Sequence, residues 1–399
     1  MGKFDLLSVI NQVDKKEVIE LLEKLVMIPS HIYSINREEE ISKFVYGIFQ
    51  KESIDTILQE VEPKRYNIIA TLNGCKKEKT KSLALNGHLD TVPPNDSMLD
   101  IKPITKDGKI FGLGTTDMKS GVAAMMYAMI LLKRLNIKLD GDLYFTGVVG
   151  EESGGTGTSF LVESGFKADY FIIGEPTGLE IVNTHKGCFQ MDIVIEGKAA
   201  HASMPERGTN AIEAMAEFIC LLKKEYVPKL KQRKQSRLGS PTINLGIING
   251  GKKINVVADK CFLKIDRRWI DKEKNIDFIA EIKPYLKKVC DKNPNLKFKI
   301  SSALPANRYF GPFYLDENSV FSRICKKALR NIGLKPKFNV LHGWTDGATI
   351  LNKGYPTLII GPGNVEVAHT AGEFVKVDQL ETAVKIYLSL IYEICVDNK

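Results

Sequence analysis

The chain is 399 residues long, 44% apolar and 26% charged, which suits a globular protein with a sizeable core rather than a disordered or fibrous one. Its net charge of +8 is concentrated in Lys223 to Arg237 (KKEYVPKLKQRKQSR). Tyr226 is the only aromatic there, so the run reads as a solvated helix end and mobile loop, and no nucleic-acid partner is expected. The longest apolar run, Val122 to Leu132, has 11 residues, short of the roughly 18–20 a membrane span requires, so no membrane partner is expected.

In chain order, residues 15–27 and 38–51 predict amphipathic helices, with Pro29 between them. Tyr66 to Leu72 and Ser82 to Asn86 predict strands, the second leading into Gly87-His88-Leu89-Asp90. Met118 to Leu135 predicts a helix apolar nearly all round, hence buried. Strand Asp142 to Val149 ends at Glu151-Glu152, a short helix covers 157–163, and strand Tyr170 to Ile173 ends at Glu175. This alternation predicts an α/β sheet with helices on its faces. Near residue 187 the texture changes. Phe189 to Glu196 alternates like a half-exposed strand, followed by helix 210–224, strands 242–248 and 255–266, helix 273–290 and strand 296–300. That order predicts a small α+β domain of ferredoxin-like type inserted between residues 187 and 303, within a larger domain of residues 1–186 and 304–399. Helix 317–332, strand 338–341, helix 346–353, strand 356–360 and helix 377–394 complete the larger domain.

The seven cysteines are widely spaced and include no CxxC. A disulfide framework and a thiolate zinc site are therefore not expected, and a reducing cytoplasm is. The N-terminal MGKFDLLSVINQVDKK interleaves charges with apolar residues and does not read as a secretory signal.

The chemistry-bearing side chains fall at strand ends. His88 and Asp90 end one strand, Glu151 and Glu152 the next, Glu175 a third, and His369 follows the last. Asp117 sits in the turn Gly112 to Asp117, at the mouth of the buried helix. In open α/β sheets ligands bind at the carboxyl ends of the strands. So many acids converging there would repel one another unless cations neutralised them. Each piece has an ordinary reading: Asp117 as a helix cap, Glu151-Glu152 as an exposed loop. Their joint occurrence favours a metal site, and oxygen and nitrogen donors without cysteine suit zinc, with cobalt or manganese as substitutes.

The segments Gly87 to Pro93 (GHLDTVP), Gly112 to Gly121 (GLGTTDMKSG), Gly150-Glu151-Glu152, Gly174 to Thr177 (GEPT), Ala200 to Ser203 (AHAS) and Ala368-His369-Thr370 form an ordered set over most of the chain. In that order they resemble the M20 metallopeptidases and deacylases, the group of acetylornithine deacetylase, succinyl-diaminopimelate desuccinylase, aminoacylase and glutamate carboxypeptidase. The resemblance implies a zinc-exopeptidase-like catalytic domain with an inserted dimerisation or lid domain, a homodimer, and two divalent metal ions per chain. His88 and Glu175 would bind one ion, Glu152 and His369 the other, and Asp117 would bridge them. Asp90 would orient His88, Glu151 would be the general base and acid, and His201 would stabilise the oxyanion, commonly in a partner's active site. Asp266-Arg267-Arg268 resembles the family's D-x-R, so Arg268 would hold a substrate carboxylate; pairing with Asp266 is its ordinary alternative. Asn210 and Asn255 resemble polar positions lining the cleft. Leu113 and Thr115-Thr116 depart from the Arg and Ala of many relatives.

The expected activity is that of an N-acyl-amino-acid deacylase, with a dipeptidase or carboxypeptidase as the alternative and a non-catalytic binding protein as the remote one. His185 and Lys186 read as hinge and surface groups, His342 and Asp346 remain open between solvated and functional, and His31 has no partner suggested by the sequence.

Overall fold

The computed structural model describes residues 4–75, 80–94 and 102–397. The chain forms two compact units: Met1–Asn183 with Tyr314–Asn339 and Thr345–Lys399, and Thr184–Phe313 with Val340–Trp344.

The first unit is built on a large mixed sheet, and the α/β class expected from the sequence holds. Its central strands, in spatial order, are Leu143–Val148, Leu83–His88, Tyr170–Ile173 and Thr357–Ile359, all parallel. Their carboxyl ends therefore share one edge. Leu83–His88 is buried at every position, as a strand covered on both faces must be. Arg65–Leu72 pairs antiparallel with Leu143–Val148, and Asp55–Glu62 extends the sheet beyond it. Asp55–Glu62 was not expected: its half-exposed, acid-rich sequence carries little apolar signal, and pairing with Arg65–Leu72 supplies what composition does not.

Helix Ser120–Arg134 is buried from Ser120 through Leu132, as its all-round apolar sequence predicts. It packs with Val377–Cys395 in the same core as Lys15–Val26 and Glu39–Lys51. Helix Lys15–Val26 starts at Asp14, whose carboxylate accepts the N–H groups of Lys16 (2.9 Å) and Glu17 (3.3 Å). At its far end the buried Lys119 ammonium donates to the carbonyls of Leu25 (3.0 Å) and Ile28 (2.8 Å). Those carbonyls lie where a helix lacks internal donors.

The second unit runs strand, helix, strand, strand, helix, strand: Gly187–Glu196, Ala211–Leu221, Thr242–Gly250, Lys260–Trp269, Phe278–Cys290 and Lys297–Ser302. The sheet is antiparallel, with the fourth strand beside the first, then the third, then the second, which is the ferredoxin-like order. Its core joins the sheet to the two helices through Met191, Ile193, Met215, Phe218, Ile282 and Leu286.

Two local expectations change. The third strand begins at Lys260, not Asn255, because residues 255–256 turn and pair with the His201 segment. The basic run keeps Lys223, Lys224, Lys229, Lys231 and Lys234 exposed, while Tyr226 and Leu230 are buried beneath it and Arg233 pairs with Glu273 and Glu281. His185 and Lys186 are buried rather than surface groups. The His185 ring stacks on Phe313 at 5.0 Å, and Lys186 donates to the Ser240 carbonyl at 2.7 Å.

Candidate active site

The shared carboxyl edge of the parallel strands brings His88, Asp90, Asp117, Glu151, Glu152, Glu175 and His369 into one part of the first unit. Two overlapping groups of ligand atoms, each within 4.8 Å of one another, result: His88 with Asp117 and Glu175, and Asp117 with Glu152 and His369. Asp117 belongs to both. Its Oδ1 lies 3.0 Å from His88 Nε2, and its Oδ2 lies 3.1 Å from His369 Nε2. One carboxylate thus offers one oxygen to each group. His88 Nε2 is also 3.6 Å from Glu175 Oε1, and His369 Nε2 is 2.9 Å from Glu152 Oε1.

The His88 ring is oriented for ligation. Its Nδ1 donates to the Asp90 backbone carbonyl at 2.9 Å, and a carbonyl can only accept. In the neutral ring the lone pair is then on Nε2, which faces Asp117 and Glu175. The Asp90 carboxylate is 3.6 Å from the ring, and its closer bonds go elsewhere. It accepts the N–H groups of Glu151 (3.1 Å) and Glu152 (3.0 Å), fixing the turn that carries both. The preceding Gly150 has φ +75°, and a Cβ there would lie 2.7 Å from the Arg65 guanidinium. That guanidinium is held by the fully buried Glu38 carboxylate. His369 takes φ +60°, a backbone conformation costing a non-glycine residue about 1–3 kcal/mol.

The electrostatics describe buried acids crowded around two histidines. Burial pushes the Glu151 carboxyl well above its ordinary range, with Glu175, Asp346 and Glu152 adding to the shift and His88 opposing it. Burial and then Asp117 likewise raise Glu175, and burial carries Asp90 to about 7. For Asp117, burial is outweighed by bonds to His369 and His88, and its carboxyl is held low. Asp117 and Glu152 raise His369 to about 10. Burial would lower His88, but Glu175, Asp117 and Asp90 together hold it well above its usual value. The Nε2 lone pair, the shared carboxylate and an all nitrogen–oxygen donor set fit zinc, cobalt or manganese.

Arg268, His201, Asn255 and Asn210 lie in the second unit. Arg268 Nε donates to Asp266 at 2.7 Å, the pairing the sequence left open. The Asn210 side chain accepts the N–H groups of Ile212 (3.0 Å) and Glu213 (3.4 Å), so it caps helix Ala211–Leu221. His201 and Asn255 are exposed on adjoining segments, and the Asn255 carbonyl accepts the Ala202 N–H at 3.1 Å.

Sequence reasoning missed Glu373 and left Asp346 open between solvated and functional, and the structure buries both. Asp346 is 2% exposed, accepts from Thr158 at 2.7 Å and adds its charge near Glu151. Glu373 is also 2% exposed and accepts the N–H groups of Thr116 and Asp117. A single acid in a loop has no periodicity to betray its burial.

The sequence profile of the Peptidase family M20/M25/M40 matches residues 84–393. A probable succinyl-diaminopimelate desuccinylase of Staphylococcus aureus is 31% identical, with 94% of this chain and 96% of that protein aligned. An N-formyl-4-amino-5-aminomethyl-2-methylpyrimidine deformylase of Halalkalibacterium halodurans is 29% identical over 96% of this chain and 95% of that protein. Among solved structures, a tripeptidase of Staphylococcus aureus superposes with a TM-score of 0.78 at 25% identity, covering 95% of this chain and 98% of that one. The aminopeptidase PepT of Bacillus cereus gives 0.76 at 26% identity, covering 96% and 99%. The chain belongs to the M20/M25/M40 peptidase family and is a metal-dependent hydrolase of the amidohydrolase and peptidase type.

Proposed function

We propose that this enzyme removes an acyl group from an N-acyl amino acid, using two divalent metal ions and Glu151. The observation that carries the reading is Asp117, with one oxygen directed at each of two histidine-containing ligand groups beside a carboxyl free of ligand duty. His88 and Glu175 would hold one ion, Glu152 and His369 the other, with Asp117 between them. Bound there, the ions supply Lewis acidity toward an amide carbonyl and toward water.

The remaining work falls to the chain's own residues. Glu151, the buried carboxyl that belongs to neither ligand group, is the residue placed to accept a proton from water and return it to the leaving amine. His201 Nδ1 receives the Ser203 backbone N–H at 3.2 Å, and a backbone N–H can only donate. The proton of the neutral ring is therefore on Nε2, the tautomer an oxyanion donor needs. Arg268 is the group we assign to a substrate carboxylate, in exchange with Asp266. The second unit would serve as lid and as dimer interface. Its edge strand Thr242–Gly250 leaves Ile247 60% and Ile248 55% exposed, which suits a covered face in a homodimer.

The relatives named for desuccinylation and deformylation support acyl removal. The tripeptidase and aminopeptidase neighbours support a second reading, cleavage of a short peptide at the same site. A panel of N-formyl, N-acetyl and N-succinyl amino acids beside di- and tripeptides separates them. Higher kcat/KM on an acylated amino acid supports the first reading, and higher kcat/KM on peptides supports the second. No hydrolysis by metal-loaded protein of any of them contradicts both.

A further inference from the structure

We propose that Glu373 is a positioning residue of this metal centre: its carboxylate fixes the turn that carries Asp117 and so sets where the shared ligand lies. Glu373 Oε1 accepts two consecutive backbone N–H groups, from Thr116 at 2.9 Å and from Asp117 itself at 3.1 Å. The backbone around it fastens the same turn. The Glu373 carbonyl accepts the Gly112 N–H at 3.1 Å, and the Thr116 hydroxyl donates to the Phe374 carbonyl at 2.5 Å. Strand Phe374–Lys376 continues the attachment by pairing with Lys109–Phe111.

The same short segment supplies His369. The Glu373 N–H bonds the Thr370 carbonyl at 3.1 Å, closing the loop between them. Asp117 and His369, whose ligand atoms lie 3.1 Å apart, thus come from two segments joined through Glu373. Asp117 must serve two ligand groups at once, so an error in its placement is felt in both. The site places a carboxylate beside the Asp117 acid, an arrangement that structure alone would not favour. Two hydrogen bonds from consecutive backbone N–H groups are what it gains. Groups that orient metal ligands typically affect affinity by about 10–100-fold.

The inference rests on the reading that these clusters bind metal, and the test separates the two. Metal-free wild type, Glu373→Ala, Glu373→Asp and Glu373→Gln are titrated with Zn²⁺ against a chromophoric chelator. Metal-free melting curves of each chain are taken alongside. Gln retains an oxygen that can accept both N–H groups, whereas Asp is one methylene short. We expect Ala and Asp to bind Zn²⁺ about 10–100-fold more weakly and Gln to stay near wild type. If the Ala chain does not fold, the contrast between Asp and Gln carries the test. A purely structural role would lower the metal-free melting temperature without this graded loss of affinity. Wild-type affinity in Glu373→Ala or Glu373→Asp, or a Gln chain as weak as Ala, overturns the inference alone. A wild-type chain that takes up no Zn²⁺ overturns the metal reading, and this inference with it.

Discussion

Glu151 and Glu152 are neighbours whose backbone N–H groups are both held by the Asp90 carboxylate, yet their side chains face different groups. Glu152 lies 2.9 Å from His369, whereas Glu151 sits among the charges of His88, Glu175 and Asp346. Glu151→Gln should therefore keep both ions and lose about 10²–10⁴-fold in kcat, because proton transfer alone is removed. Glu152→Gln should instead weaken metal uptake, measured as ions per chain after gel filtration. Normal metal content and turnover in both variants would contradict the assignment. A second residue-scale prediction concerns His185. Burial lowers its pKa from 6.5 to about 4 in the folded chain. The folded value lies below the unfolded one, so its stability contribution is complete above pH 6.5 and is lost as pH falls toward 4. The full loss is about 3 kcal/mol. His185→Gln should lose less stability between pH 7 and pH 5 than wild type, by about 2 kcal/mol in urea denaturation. Parallel pH curves for the two chains would contradict this. The sequence showed the ligand-type residues because each adjoins a strand end or a Gly-rich turn. It did not show that His185 is buried, since burial there comes from stacking on Phe313, remote in sequence.

Glu175 owes its position to the close approach of three backbone segments. A Cβ on Gly121, in the first turn of helix Ser120–Arg134, would lie 2.2 Å from the Gly174 carbonyl oxygen. A Cβ on Gly361, just past strand Thr357–Ile359, would lie 2.1 Å from the same atom. The chain entering Glu175 is pinched between them. Alanine at position 121 would gain about 1 kcal/mol in helix propensity. Against that stands a contact with backbone, which cannot swing aside, and overpacking typically costs about 1–3 kcal/mol. Gly121→Ala should therefore lower stability and also weaken Zn²⁺ binding through displacement of Glu175. Metal affinity equal to wild type would show that the strand end absorbs the shift. The buried helix itself was readable, because an all-round apolar sequence can only be covered. Strand Asp55–Glu62 was not, because hairpin pairing with Arg65–Leu72 rather than apolar content makes it a strand, and the true start of strand Lys260–Trp269 was not, because pairing with the distant Gly187–Glu196 decides it.

At the scale of the molecule, the proposed chemistry draws residues from both units: the ligands and Glu151 from the first, His201 and Arg268 from the second. If His201 acts on the partner's site, mixing His201→Ala with Glu151→Gln chains should restore part of the activity that neither parent has. One site of each heterodimer then holds an intact Glu151 and receives an intact His201. Heterodimers confirmed by mass but no more active than their parents would contradict action across subunits. The change of strand texture near residue 187 lies close to the start of the second unit at Thr184, whereas the contacts that a proposed partner chain would make leave no mark in one sequence. The most direct test of the account is stepwise Zn²⁺ addition to chelator-stripped protein, following hydrolysis of the best acylated substrate and bound metal together. The account predicts negligible turnover without metal and activity that saturates near two ions per chain, the stoichiometry of a two-metal site. Full activity in metal-free protein, or bound Zn²⁺ with no hydrolysis of any N-acyl amino acid or short peptide, would contradict it.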